Sequence, residues 1–335
     1  MLLPLRQFLT IDVKEVEFVR RGFSPSSAEL QDHLENVGRI FLHGYHAALE
    51  HRDQTTLAKH LDQIDLEHRG FAYEGAAMAL TLLDQMSLRR NSLLRFMESV
   101  GKQHIFMLHV GVGWAYARLP WLRRRMEAAI KKFHPVLRWL VIDGYGFHEG
   151  YFHWKDRPEP EVRSLQLSED ARHVFFQGLG RSLWFIKGAN VGEVAATITR
   201  FHPSYRGDAW SGAGLACAYA GGLATEAMAR LQQQAGVHAA ALAQGAAFAA
   251  KARDLAGNAA QHTEVASQIL CGMPASQAAT LCDETCNKVN LLHPCPYQHW
   301  RKLLQEAMFS SLGTFKRGQS HEHSISSSLV AAQPH

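Results

Sequence analysis

No stretch of 18 apolar residues in this 335-residue chain is free of charge or glutamine, so no membrane-spanning helix is predicted. The start, Met1-Leu2-Leu3-Pro4-Leu5-Arg6, lacks the basic head and the length of a secretory signal. Cysteine is scarce: five residues, an odd count bunched late in the chain, which does not suit a disulfide framework. A reduced, cytoplasmic protein is therefore expected. A net charge of +4 is too small an excess to signal nucleic acid, and no such partner is expected. Also missing are a Walker phosphate loop, a Ser-His-Asp order and a strand–glycine–helix nucleotide site. Histidine, with 20 residues, is the one type in excess, and it makes the charge sensitive to pH near neutrality.

What the chain has instead is a repeated phrase: glycine, any residue, a small residue, any residue, alanine. It is clearest at Gly212-Ala213-Gly214-Leu215-Ala216, Gly111-Val112-Gly113-Trp114-Ala115 and Gly178-Leu179-Gly180-Arg181-Ser182. Softer copies begin at Gly44, Gly75, Gly144 and Gly245. Successive leading glycines are 31, 36, 33, 34, 34 and 33 residues apart, the period of a helical-hairpin repeat. The expected fold is thus all-α: an α-solenoid, TPR-like array of about seven repeats of roughly 34 residues. Residues 1–31 read as a lead-in, 32–310 as the repeat domain with an inserted loop at 155–168, and 316–335 as a disordered tail.

Glycine inside a helix costs about 1 kcal/mol against alanine, so its recurrence needs a packing reason. Positions 0 and +4 of the phrase stack on one helical face and are small in most copies, forming a groove into which a neighbouring helix can sink. Position +3 is large in most: Met78, Trp114, Phe147, Arg181, Leu215 and Phe248. Position −1 is polar in six of seven: His43, Glu74, Asp143, Gln177, Ser211 and Gln244, with Val110 the exception. These form a ladder that is either a ligand groove or an ordinary solvated edge.

The segment Asp143 to Trp154 is the best candidate for chemistry. His148 occupies the otherwise small +4 column, and breaks of a packing rule are expected at functional sites. Glu149 and His153 are four apart and share a helical face, as metal ligands or an acid–base pair would. His148 and His153, five apart, are not expected to share one. The expected catalytic set is His148, Glu149, His153 and Arg181, with His148, Glu149 and His153 as the metal set. A hydrogen-bonded histidine lining a pocket is the competing reading. Arg181 suits anchoring a carboxylate or carbonyl, or else pairs with Asp143 or Glu149 of the adjacent repeat. His104 and His109 flank the third phrase and join His43, Glu74, Asp143, Gln177 and Gln244 as expected ligand-binding residues. The late Cys271, Cys282, Cys286, His293, Cys295 and His299 match no familiar zinc spacing. Trp121 to Phe133, with Arg123-Arg124-Arg125, reads as a basic amphipathic helix able to rest on an anionic membrane or an acidic partner.

The stretches Arg69 to Ala79, His104 to Pro120, Asp143 to His153, Gln177 to Phe185, Trp210 to Gly222 and Leu242 to Arg253 resemble one family: domain of unknown function 1702, associated with enediyne biosynthesis. The likeness runs from about residue 20 to 275. It implies a gene placed beside an enediyne polyketide synthase, in a cassette with a membrane protein and a secreted-type partner. It also implies the handling or conversion of a polyene precursor, with no cofactor specified and no agreed catalytic residues. The expected function is accordingly an accessory protein binding an apolar polyene-like molecule, or a cassette partner such as the membrane protein, along a helical-repeat groove. The alternative is a metal- or histidine-dependent oxidoreductase or cyclase acting on that polyene. The expected place is the cytoplasm, peripheral to the membrane if the basic segment docks there.

Overall fold

A computed structural model describes residues 8–51, 53–86, 91–155, 164 and 166–310, and among these there is no β-strand. The fold is all-helical. Each glycine phrase lies in one long helix: α1 (Ala28–Glu50), α2 (Arg69–Met86), α3 (Ile105–Arg118), α4 (Leu140–His153), α5 (Glu169–Ile186), α6 (Pro203–Ala220) and α7 (Ala239–Ala256). Shorter helices run between them, including Gln54–Leu61, Val191–Thr199 and Thr225–Ala235. Their apolar stripes (Leu57 and Leu61, Val194 and Ile198, Met228 and Leu231) are buried. Gln261–Cys271, Ala275–Cys286 and a helix over residues 296–310 follow α7.

The start signals are local. The Ser27 and Ser168 side chains accept from the Leu30 and Ala171 amides at the heads of α1 and α5. Asn190 accepts from the Glu193 amide, as its sequence context suggests. Pro203 opens α6 at a position where its missing N–H is no loss.

One segment differs from expectation. The basic stretch after Pro120 is not one helix but three short pieces, Pro120–Arg123, Met126–Ala129 and the 3₁₀ turn Ile130–Lys132. Arg123 bends back to donate twice to the Ala117 carbonyl at the end of α3, at 3.1 and 2.6 Å. Conversely, α4 is continuous through Gly144, Gly146 and Gly150. The expected inserted loop lies mostly at 156–163 and 165, and the expected tail at 316–335, both outside the described residues.

Tertiary packing offsets the cost of the glycines. Consecutive long helices are neighbours all the way from α1 to α7. A methyl group added at Gly111, Gly144, Gly178, Gly212 or Gly245 would overlap the carbonyl oxygen of Glu74, Val110, Asp143, Gln177 or Ser211, respectively. In every case that carbonyl precedes the leading glycine of the previous helix. The second glycines look forward: Gly113, Gly146, Gly180 and Gly214 sit on the carbonyls of Val141, Phe175, Ala209 and Leu242. Each of those carbonyls lies three residues before the next leading glycine. One register is thus repeated from helix to helix, with backbone against backbone.

The row of helices curls. His33 of α1 lies 2.7 Å from the Ala220 carbonyl at the end of α6. Phe71 of α2 meets the Tyr219 ring at 5.1 Å. Arg253 of α7 joins the Glu67 and Tyr219 carbonyls at 3.0 and 2.6 Å. The faces opposite the shorter helices therefore converge on a shared interior.

Candidate functional site

The +3 and −1 columns meet in that interior. A narrow chamber is lined by Val37 and Phe41 of α1, Phe71, Glu74 and Met78 of α2, Trp114 of α3, Phe147, Tyr151 and Phe152 of α4, Arg181 and Phe185 of α5, and Leu215 and Tyr219 of α6. Ile11, Glu15 and Val16 of the N-terminal segment close one side. Only about 60 Å³ is open to the centres of water-sized molecules, although six helices contribute to the wall. A smaller apolar void of about 30 Å³ lies beyond, lined by Phe106, Val110, Phe248, Tyr297 and Trp300. Arg181, Leu215 and Tyr219 face both spaces and form the wall between them.

The polar groups of this interior are paired from one helix to the next. Trp114 donates its indole N–H to Glu74 at 3.0 Å. Arg181 lies 2.7 Å from Asp143, and Gln177 donates to the same carboxylate at 2.8 Å and to the Tyr297 hydroxyl at 2.8 Å. Farther along, Ser211 donates to Gln244 at 3.0 Å, Arg301 bridges Gln244 and Asp208 at 3.3 and 2.7 Å, and Asp208 meets His173 at 2.6 Å. The −1 ladder is therefore neither a solvated edge nor an open groove. Glu74, Asp143, Gln177, Ser211 and Gln244 are buried, and Gln177 and Gln244 are bonded by Tyr297 and Arg301 of the helix over 296–310. Of the two readings of Arg181, the ion pair with Asp143 is present.

Glu74 is the unusual acid. Burial pushes its pKa from the ordinary 4.5 up to about 7; the nearby Asp143 adds to the rise, while Arg181 and the Trp114 hydrogen bond oppose it. Burial also raises Asp143, against the pull of Arg181 and Gln177. Between pH 4.5 and about 7 the folded chain keeps a proton on Glu74 that the unfolded chain releases. The Glu74 contribution to stability therefore falls as pH rises through that window, by on the order of 3 kcal/mol, and is absent above it, whereas buried histidines of depressed pKa contribute in the opposite sense. Glu74→Gln, which removes the titration, is expected to gain urea-unfolding free energy relative to the native protein progressively from pH 4.5 to 7.5. Parallel curves for the two proteins would contradict the assignment.

A second group stands at the C-terminal end of α4. One ligating atom each of His148, Glu149 and His153 lies within 4.8 Å of the others. His148 and Glu149 are buried and His153 is half-buried. His148 and His153 were expected on different faces, but their rings lie 5.9 Å apart. His153 is the last residue of α4, where the imidazole reaches past the helix end. Arg123 sits 3.3 Å from Glu149. Burial lowers the His148 pKa, against the opposing pull of Glu149. Burial raises Glu149, but His148 and Arg123 outweigh it and hold the carboxyl below its usual value. The neutral imidazole and ionised carboxylate suit a general base, or ligands to a metal. The group opens on a cleft of about 640 Å³ whose wall shares Ile11, Glu15 and Phe152 with the apolar chamber.

A family model described as protein of unknown function (DUF1702) matches residues 3–308. The chain belongs to this family. No curated protein and no solved structure matches the chain.

For this member of the DUF1702 family, the other expected site residues divide. His43 is exposed and apart from the polar chain. His104 is buried against the Tyr73 ring at 4.0 Å, and burial lowers its pKa to about 4. His109 is buried with Nδ1 2.7 Å from the Ile105 carbonyl and is likewise pushed down to about 4. Neither lines the chamber or the cleft. Among the late cysteines, Cys271 and Cys282 are buried with their thiols on the Ala243 and Ala247 carbonyls, as small apolar side chains would be. Sequence reasoning passed over Tyr297, Arg301, Asp208 and His173. The four-residue spacing of Tyr297 and Arg301 on one helical face was the available signal.

Proposed function

We propose that the chain binds a slender, apolar, polyene-like molecule in the interior chamber, as an accessory protein of enediyne-type secondary metabolism. The supporting observation is the chamber wall: aromatic and aliphatic side chains from six helices, interrupted by the buried Glu74 and Arg181 and by Glu15 at the N-terminal side. Ligand sites are typically apolar with a few convergent polar groups, and a conjugated chain would enter by parting these walls, since the open space is about 60 Å³. The TPR-like solenoid reading of the repeats belongs to the same proposal, with the curled inner face as the binding surface. A membrane-protein partner from the same cassette would deliver or receive the apolar ligand, and a cytoplasmic location peripheral to the membrane fits the exposed Trp121, Arg124 and Arg125.

The test uses methyl octadecatetraenoate, a conjugated tetraene whose emission rises in apolar surroundings. Saturable enhancement is expected with the native protein, and a loss of at least roughly tenfold in affinity with Leu215→Trp, which fills the space between the two voids. No enhancement, or equal binding by the variant, would end this reading.

A second reading is favoured by the wall shared between chamber and cleft. A ligand lying in the chamber is separated from His148, Glu149 and His153 by the Phe152 side chain. The protein is then an enzyme, a metal- or histidine-dependent oxidoreductase or cyclase. The α4 residues act on the polyene, and Arg181 holds an oxygen at its far end.

A further inference from the structure

We infer that His148, Glu149 and His153 form a 2-His-1-carboxylate centre for one divalent ion of the iron-to-zinc series. This gives the enzymatic reading its cofactor class and rests on that reading for its use, but the ion's presence is independent of whether the chamber holds a polyene.

Three observations carry it. The first is geometry: the ligating atoms of the three residues lie within 4.8 Å of one another. Ligands about 2.0–2.2 Å from a common ion stand roughly 3–3.5 Å apart, so side-chain rotations of about 1 Å complete the set. Among the described residues this is the one such grouping of His, Cys, Asp or Glu. The second is a hydrogen-bonding group left short: His148 is 5% exposed, and its Nδ1 makes no hydrogen bond, lying 3.8 Å from Glu149 Oε1, beyond hydrogen-bond reach. Leaving such a nitrogen buried without a hydrogen bond costs about 1–3 kcal/mol, whereas a metal between the two residues would use its lone pair. The third is access: His148 and His153 line the 640 Å³ cleft, so an ion there keeps coordination positions open to water or substrate.

The donor set decides the ion class. Two imidazoles and one carboxylate suit zinc, iron(II) or cobalt(II); calcium and magnesium prefer oxygen, and no thiol is in the set. Arg123 does not block the site. Its guanidinium already donates to the Ala117 carbonyl through Nε and Nη2, so it remains anchored beside Glu149 as an outer partner. The cleft also carries Asp12 and Glu15 alongside Arg21, Arg118 and Arg123, with Glu15 paired to Arg21 at 2.6 Å, so the ligand set and not the surrounding charge has to hold the ion.

The experiment titrates chelator-treated full-length protein with Co²⁺, following visible absorption, and with Zn²⁺ by calorimetry. One saturable equivalent is expected, with the d–d bands of a low-coordinate cobalt site. Both His153→Ala and Glu149→Gln are expected to weaken it by on the order of 100-fold. His173→Ala, in the separate Asp208 pair, is expected to leave it unchanged. His153 is half-buried at a helix end, and an unchanged circular dichroism spectrum shows that its variant is folded. Absence of saturable uptake, or uptake as strong in His153→Ala as in the native protein, overturns the inference. Loss of tetraene binding with cobalt uptake intact overturns only the chamber reading.

Discussion

Gly212→Ala is expected to destabilise the protein by roughly 2–4 kcal/mol, although alanine is the better helix former by about 1 kcal/mol. The added methyl has nowhere to go. It falls on the Gln177 carbonyl and close to the Arg181 amide of α5, both backbone atoms that no rotamer change can move. Relief requires α5 and α6 to separate, which opens the packing around Asp143 and Gln177 as well. Gly207→Ala, five residues earlier in the same helix, is expected to act in the opposite sense. Its methyl would meet only the His238 ring, at an ordinary 3.5 Å. Propensity alone then operates, for a gain of about 0.5–1 kcal/mol. The two urea-unfolding midpoints, measured side by side, separate close packing from helix propensity. Equal effects would mean that the glycines are not needed for approach.

The second large effect lies in the ion pair across α4 and α5. Arg181→Leu leaves Asp143, 1% exposed, with only Gln177 as a donor. Breaking a buried pair from one side typically costs 3–5 kcal/mol, because the remaining charge has no solvent. The double variant Asp143→Leu with Arg181→Met strands no charge in that pair, and Gln177 keeps its Tyr297 partner. It is expected to recover more than half of the loss. Thermal midpoints of the single and double variants decide this. If the double variant is the less stable by the sum of both changes, the pair contributes favourably in its own right.

The repeat in the sequence carried much of this structure. The seven glycine phrases fall in seven long helices, and the small 0 and +2 positions are where backbones touch. The +3 column, from Met78 to Leu215, is the chamber wall. These features are periodic, and periodicity is visible in a single chain. Other features depend on contacts between residues far apart in sequence. The −1 ladder was equally readable as a solvated edge because nothing in it says that Tyr297 and Arg301, about fifty residues beyond the last phrase, lie over it. The N-terminal wall at Ile11 and Val16 was hidden for the same reason. His148 was legible as a large residue in a small column. Its proximity to His153 was not, because ideal helical angles ignore the freedom of a side chain at a helix end. His104 and His109 stood beside a phrase and looked like site residues, yet they satisfy local packing and a backbone carbonyl.

The central claim is that curled, closely packed helices enclose a slot for a thin apolar ligand. A crystal structure of the protein grown with methyl octadecatetraenoate tests it most directly. The account predicts continuous rod-like density along the chamber, passing the contacting rings of Trp114 and Phe147, running toward Leu215 and ending near Arg181. Density confined to the outer surface, or an interior filled by side chains with no ligand at saturating tetraene, would contradict it.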